Sequence, residues 1–158
     1  MNAMPWGVEP PDAEQVKLVR ASWRMLSAAG QRAQLVQCFY DRLFELDPAI
    51  RERLFRDTDM VQQGKKLEDT LSFVVKGLDH FEFLVPAVGL LGERHVGYGV
   101  TEAHYDLLRQ ALLDALGVTL GDHFGSAEND AWRATYDALA GIMKQGPASA
   151  PAGGAVGG

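Results

Sequence analysis

Two stretches of this sequence carry apolar residues at helical spacing, and each has one polar side chain at an end of its stripe. In the first, Gln63, Leu67, Thr70, Leu71, Val74 and Leu78 fall on one face. In the second, Leu84, Val88, Leu91 and His95 follow at steps of four, three and four. Side chains at such intervals line up along one side of a helix. Two long helix faces must therefore be buried, with an amide and an imidazole at the margin of apolar space. The periodicity stays helical almost everywhere, and no stretch alternates convincingly as a strand.

The spacing predicts an all-α protein of seven to eight helices. The first runs from about Asp12, an N-cap with Gln15 three residues on, to about Ala28. A second starts after Gly30 and reaches about Leu46. Pro48 opens a short third helix to about Phe55, proline being well tolerated in a first turn. The long fourth helix spans about Asp59 to Gly77. His80–Phe83 reads as a turn into the His95 helix, which Gly97 and Gly99 end. Thr101 caps the next helix, to about Leu120, and the last runs from about Ser126 to Lys144. Pro5, Pro10 and Pro11 mark an irregular lead-in over residues 1–11. Residues 12–145 form one domain, and 146–158, rich in Gly, Ala and Pro, read as a disordered tail.

Composition narrows the function. The 158 residues carry a formal charge of -6. No basic stripe is available for nucleic acid or for an anionic membrane surface. The single Cys38 excludes an intrachain disulfide and any multi-cysteine zinc site, and suits a reducing cytoplasm. No apolar run approaches a membrane span, and the start of the chain does not read as a secretory signal.

A lone histidine on an apolar face is more often a satisfied interior residue than a ligand. Three features favour the ligand reading for His95. Its helix ends at once, Arg94 stands beside it where it could meet a cofactor carboxylate, and the upstream stripe carries Gln63 at a matching place. Two helices pointing such groups into apolar space suit a flat, apolar, metal-bearing cofactor. Haem b, iron protoporphyrin IX, fits, with His95 on the iron and Gln63 facing it. Tyr40 shares a helix face with Val36, Leu43 and Phe44. Alone it reads equally well as a core tyrosine; beside Gln63 it forms a pair of donors for a polar ligand on the iron.

Several segments resemble the globin family, in particular bacterial single-domain globins related to the haem domain of flavohaemoglobins. They are Ala21-Ser22-Trp23, the run from Phe39-Tyr40 to Asp47-Pro48, Gln63-Gly64-Lys65-Lys66-Leu67, Leu91-Gly92-Glu93-Arg94-His95 through Val100 to His104-Tyr105, and Ala131-Trp132 with Tyr136. The resemblance spans roughly 12–145, and its order and spacing are more specific than any one motif. It implies a globin fold, a three-over-three helical sandwich around a haem pocket. It makes His95 the proximal ligand, with Nδ1-H held by a backbone carbonyl, and Tyr40 and Gln63 the distal pair. Leu67 would restrict the ligand's space, Phe55 would wedge against the macrocycle, and Leu91, Val100 and Leu108 would line its edge and proximal side.

Two departures stand out. The segment from Tyr40 to Phe55 is one residue longer than the family's usual spacing, which leaves Phe55 or Leu54 for the wedge. Tyr105 matches the flavohaemoglobin tyrosine beside the proximal histidine, but its partner glutamate has no match where the chain reads Lys144-Gln145. The implied function is high-affinity binding of dioxygen, with nitric oxide and carbon monoxide as further ligands. Dioxygenation of nitric oxide would need a separate reductase, since this chain shows no flavin or nicotinamide motif. The expected state is a monomer or weak homodimer. A haem-free sensory or interaction module is the alternative from another class, and haem delivery or storage a weaker third.

Overall fold

The computed structural model describes residues 9–97 and 99–145, with the backbone alone at 93, 96, 97 and 145. Seven α-helices follow one another: α1 (Ala13–Ala28), α2 (Arg32–Leu46), α3 (Pro48–Leu54), α4 (Met60–Gly77), α5 (Phe81–Gly97), α6 (Glu102–Leu120) and α7 (Ser126–Gln145). Short 3-10 turns cover Leu78–His80 and Gly121–His123. There is no strand among the described residues. Residues 9–12 carry no regular structure. The first eight residues of the expected lead-in, and the expected tail over 146–158, lie outside the described residues.

Local chemistry sets most boundaries. At α1 the Asp12 carboxylate accepts from the Gln15 amide at 2.9 Å, and the Gln15 side chain accepts from the Asp12 amide at 3.0 Å. Two orphan donors of a first turn are thus satisfied reciprocally. Asp47 caps α3 ahead of Pro48, and Asp59 caps α4 through the amides of Val61 and Gln62. At α6 the backbone N–H of Thr101 donates to His104 Nδ1 at 2.9 Å. Gly99 adopts φ +87°, a backbone conformation that L side chains rarely take.

One expected boundary differs. His80–Phe83 is not a turn: the chain passes through a single 3-10 turn and is α-helical again from Phe81. Arg20 of α1 explains this. It donates to the carbonyls of Val75 and Lys76 and forms two hydrogen bonds with Asp79 at 2.9 and 3.0 Å. The carbonyls left orphaned at the end of α4 find their donors there, so no irregular loop is needed. Hydrogen bonding to Arg20 also holds the Asp79 carboxyl below its ordinary range. Pro86 sits inside α5; it and Glu82 are both exposed, so water can replace the missing bond.

The helices form two layers of three. In one, α1 touches α4 and α4 touches α5; in the other, α2 touches α6 and α6 touches α7. Contacts of α1 with α6 and α7, α2 with α4, and α5 with α7 join the layers. Leu26, Leu35, Leu43, Ile50 and Leu116 are wholly buried between them. Among the described residues no helix is long and apolar enough to cross a membrane.

Leu26→Ala should cost about 2–5 kcal/mol, the transfer energy of the deleted atoms plus a cavity that close-packed neighbours cannot fill. Urea denaturation of the variant and the unsubstituted chain would measure it.

Candidate functional site

The two stripes meet at a vertex and part from it. At the vertex Leu84 lies against Gly77, where a Cβ would come within 2.6 Å of Leu84 Cδ2. From there Leu84 and Val88 on α5, and Val74 and Leu78 around the end of α4, are buried. Further out, Leu67, Thr70 and Leu71 on α4 and Leu91 and His95 on α5 are half-buried. The facing sides of the two helices thus become more accessible towards Gln63 and His95. A half-buried leucine stripe is what the wall of a site for a flat apolar group requires.

At the outer end of α4, Gln63 Nε2 donates to Tyr40 Oη at 3.2 Å. Tyr40 is buried in an aromatic nest, edge-on to Phe39 at 4.9 Å and to Phe55 at 5.6 Å, with Phe44 at 6.1 Å. Burial pushes its phenol above the ordinary tyrosine range, and the bond from Gln63 opposes this in part. Tyr40 therefore keeps its proton at neutral pH, and that proton has no partner among the described residues. Gly64 lets α4 approach α2 closely: a Cβ there would lie 3.1 Å from Val36 Cγ1, one turn before Tyr40. Leu67 stands one turn beyond Gln63.

Phe55 is the C-cap of α3, and its ring packs on Tyr40 and on Phe44. Leu54 packs on the main core and faces Gly99. The Phe55 ring thus lies edge-on against Tyr40.

On α5, His95 Nδ1 lies 2.6 Å from the Leu91 carbonyl. A carbonyl only accepts, so Nδ1 carries a proton, and in the neutral ring Nε2 is the nitrogen with the lone pair. No partner for Nε2 exists among the described residues. The His95 carbonyl accepts from the Val100 amide at 3.0 Å, as the chain folds back through Gly99. The His95 ring stacks on Tyr105 of α6, centroids 6.4 Å apart. Over the Tyr105 ring lies Lys144 Nζ, 5.4 Å from its centroid, which also pairs with Glu102 at 3.4 Å. Tyr136 donates to the Tyr105 carbonyl at 2.7 Å, and its burial raises its phenol pKa strongly. Burial raises the Tyr105 phenol as well. Arg94 is exposed, and Val100 and Leu108 are half-buried. Of the remaining histidines, His104 is the buried cap of α6, while His80 and His123 are exposed.

The structure therefore joins Tyr40, Gln63 and Phe55 into one cluster and His95, Leu91, Tyr105 and Val100 into another. Where the sequence offers Lys144-Gln145 and no glutamate as partner for Tyr105, the structure brings the Lys144 ammonium over the ring. No cluster of three or more His, Cys, Asp or Glu that could hold a metal ion occurs among the described residues. A metal held through His95 Nε2 must bring most of its ligands with it, as an iron in a macrocycle does.

Comparison with known proteins bears on the fold as a whole. A family profile described as Globin matches residues 37–143, more than half of the chain. The chain belongs to the globin family. Relatives of this globin include the flavohemoprotein of Deinococcus radiodurans, 32% identical over 133 residues, and that of Vibrio cholerae, 26% identical over 132. A third, from Xylella fastidiosa, is 29% identical over 131 residues. Each alignment covers 82% of this globin but only 32–33% of the relative, so the chain spans about a third of those proteins' length.

Tyr136→Phe should cost about 1 kcal/mol at neutral pH, the worth of its bond to the Tyr105 carbonyl. It should also change the alkaline limb. A folded-state pKa above the unfolded one gives stability that is present below pH about 10 and is lost as pH rises beyond it. The variant should lose less stability above pH about 10 than the unsubstituted chain, as measured by denaturation at stepped pH.

Proposed function

We propose that this globin binds haem b through His95 and holds a diatomic gas, dioxygen above all, between the iron and the Tyr40–Gln63 pair. The observation that carries the reading is the 2.6 Å contact of His95 Nδ1 with the Leu91 carbonyl. With Nδ1-H committed to the Leu91 carbonyl, Nε2 is the basic nitrogen and stands free at the open end of the α4–α5 pair. Bound haem would supply a ferrous iron with one position open to a small gas.

The side chains supply the rest. The Leu91 carbonyl fixes the orientation of the ring. Leu67, Leu91 and Phe55 would keep water from the site, with Val100 and Leu108 along the macrocycle's edge. Arg94, exposed one position before His95 on α5, would meet a propionate. Tyr40 retains its phenolic proton, and Gln63 has a second amide N–H left; both would donate to a polarised guest. Charge-assisted bonds of about 1.5–3 kcal/mol each, at about 1.4 kcal/mol per tenfold, give tight binding and slow release. Slow release suits scavenging, or nitric oxide dioxygenation with a separate reductase, better than bulk transport. The charged group against Tyr105 is the Lys144 ammonium rather than a carboxylate, which withholds the electron push that peroxide chemistry needs.

The test is an absorption spectrum of the purified chain, with hemin added where needed, in ferric, dithionite-reduced and carbon monoxide-treated states. A strong Soret band that shifts with carbon monoxide is expected. No Soret band after hemin addition overturns the reading and leaves a haem-free interaction module. His95→Ala should lose the cofactor or bind it far more weakly; an unchanged spectrum would remove His95 from the iron. Tyr40→Phe should raise the dioxygen off-rate about tenfold or more, through loss of one charge-assisted bond. Stopped-flow kinetics measure it.

A further inference from the structure

Gly92 lies one turn before His95 on α5, and it is buried where α5 crosses α7. A Cβ built there would stand 2.6 Å from both the Cα and the carbonyl carbon of Met143, and closer still to its oxygen. Carbon and oxygen atoms in ordinary contact stay about 3.3 Å or more apart even in the closest C–H···O approaches. All three atoms belong to the α7 backbone, so no rotamer change relieves the overlap. The two helices meet main chain to main chain at this point.

We propose that Gly92 is a positioning residue for His95: by letting α5 rest on the Met143 backbone, it sets where the imidazole stands relative to the site. The inference rests on the haem reading above. His95 is three residues further along the same helix, and its ring orientation is fixed from within that helix by the Leu91 carbonyl. The imidazole must therefore move with α5. What it moves against is anchored elsewhere: Tyr105 belongs to α6, and the next residue of α7, Lys144, sits over the Tyr105 ring and pairs with Glu102. Met143 and Lys144 thus touch α5 and α6 from adjacent positions. Any side chain at 92 must separate α5 from that anchor, and the His95–Tyr105 stack must shift with it.

The experiment compares Gly92→Ala with the unsubstituted full chain after hemin loading and reduction. Two quantities are read: the iron–histidine stretching band in resonance Raman spectra, and the rate of hemin loss to an excess of scavenger protein. A displaced band and hemin loss about tenfold faster are expected, in the range of changes to groups behind a metal ligand. Leu26→Ala, destabilised in the core beneath α1, serves as the control and should leave the band in place. An unmoved band with unchanged hemin loss in Gly92→Ala overturns the proposal, and so does an equal displacement in the control. Where Gly92→Ala fails to fold, a chain ending at Ile142, which removes the Met143 backbone, is compared with Lys144→Met; the truncation should displace the band further than Lys144→Met, and an unmoved band or an equal displacement in the two overturns the proposal. The imidazole nitrogen NMR signals of His95, read in haem-free protein, should differ between Gly92→Ala and the unsubstituted chain. Failure of the unsubstituted chain to take up hemin overturns the haem reading, whereas unchanged imidazole signals overturn the role of Gly92.

Discussion

The contact between Gly77 and Leu84 governs the geometry on which the rest depends. Leu84 fills the space that a side chain at 77 would need, so α4 and α5 are in direct contact at their junction. Arg20 locks the same junction from α1 by donating to two carbonyls at the end of α4 and pairing with Asp79. A vertex held this firmly makes the divergence of the two helices a property of the fold. Gln63 and His95 stand at the far ends of the arms, where the facing stripes are half-buried. Helix propensity alone would not produce that opening, because an amphipathic face normally closes on its neighbour.

The polar groups at those ends are organised differently. On the α4 side, two side chains from different helices make one hydrogen bond within an aromatic nest. On the α5 side, the imidazole is oriented by a carbonyl of its own helix and by a ring from α6. One side is left with donors to offer and the other with a single lone pair. That asymmetry of chemistry is what the proposed function builds on.

Local rules made much of this readable in the sequence. The Asp12–Gln15 box, the Asp59 cap and the two stripes are encoded within a few residues of where they act, and each element forms close to its expected limits. The turn expected at His80–Phe83 failed because its alternative depends on Arg20, far away in sequence and close in space. Gly92 carries no local signal either: a glycine among leucines shows its purpose only when Met143 arrives from another helix. Spacing could not show that the Phe55 ring meets Tyr40 and Phe44, since those contacts depend on how α3 packs against α2.

The bond from Gln63 to Tyr40 has a consequence for how the pair behaves as a unit. A phenol that accepts a hydrogen bond becomes a stronger donor of its own, because each bond in a chain polarises the next. Gln63 thus acts on whatever lies beyond Tyr40 in two ways: through its own remaining N–H, and by sharpening the acidity of the tyrosine it touches. The two side chains form a relay rather than two independent anchors, and the influence of either one depends on the other being there.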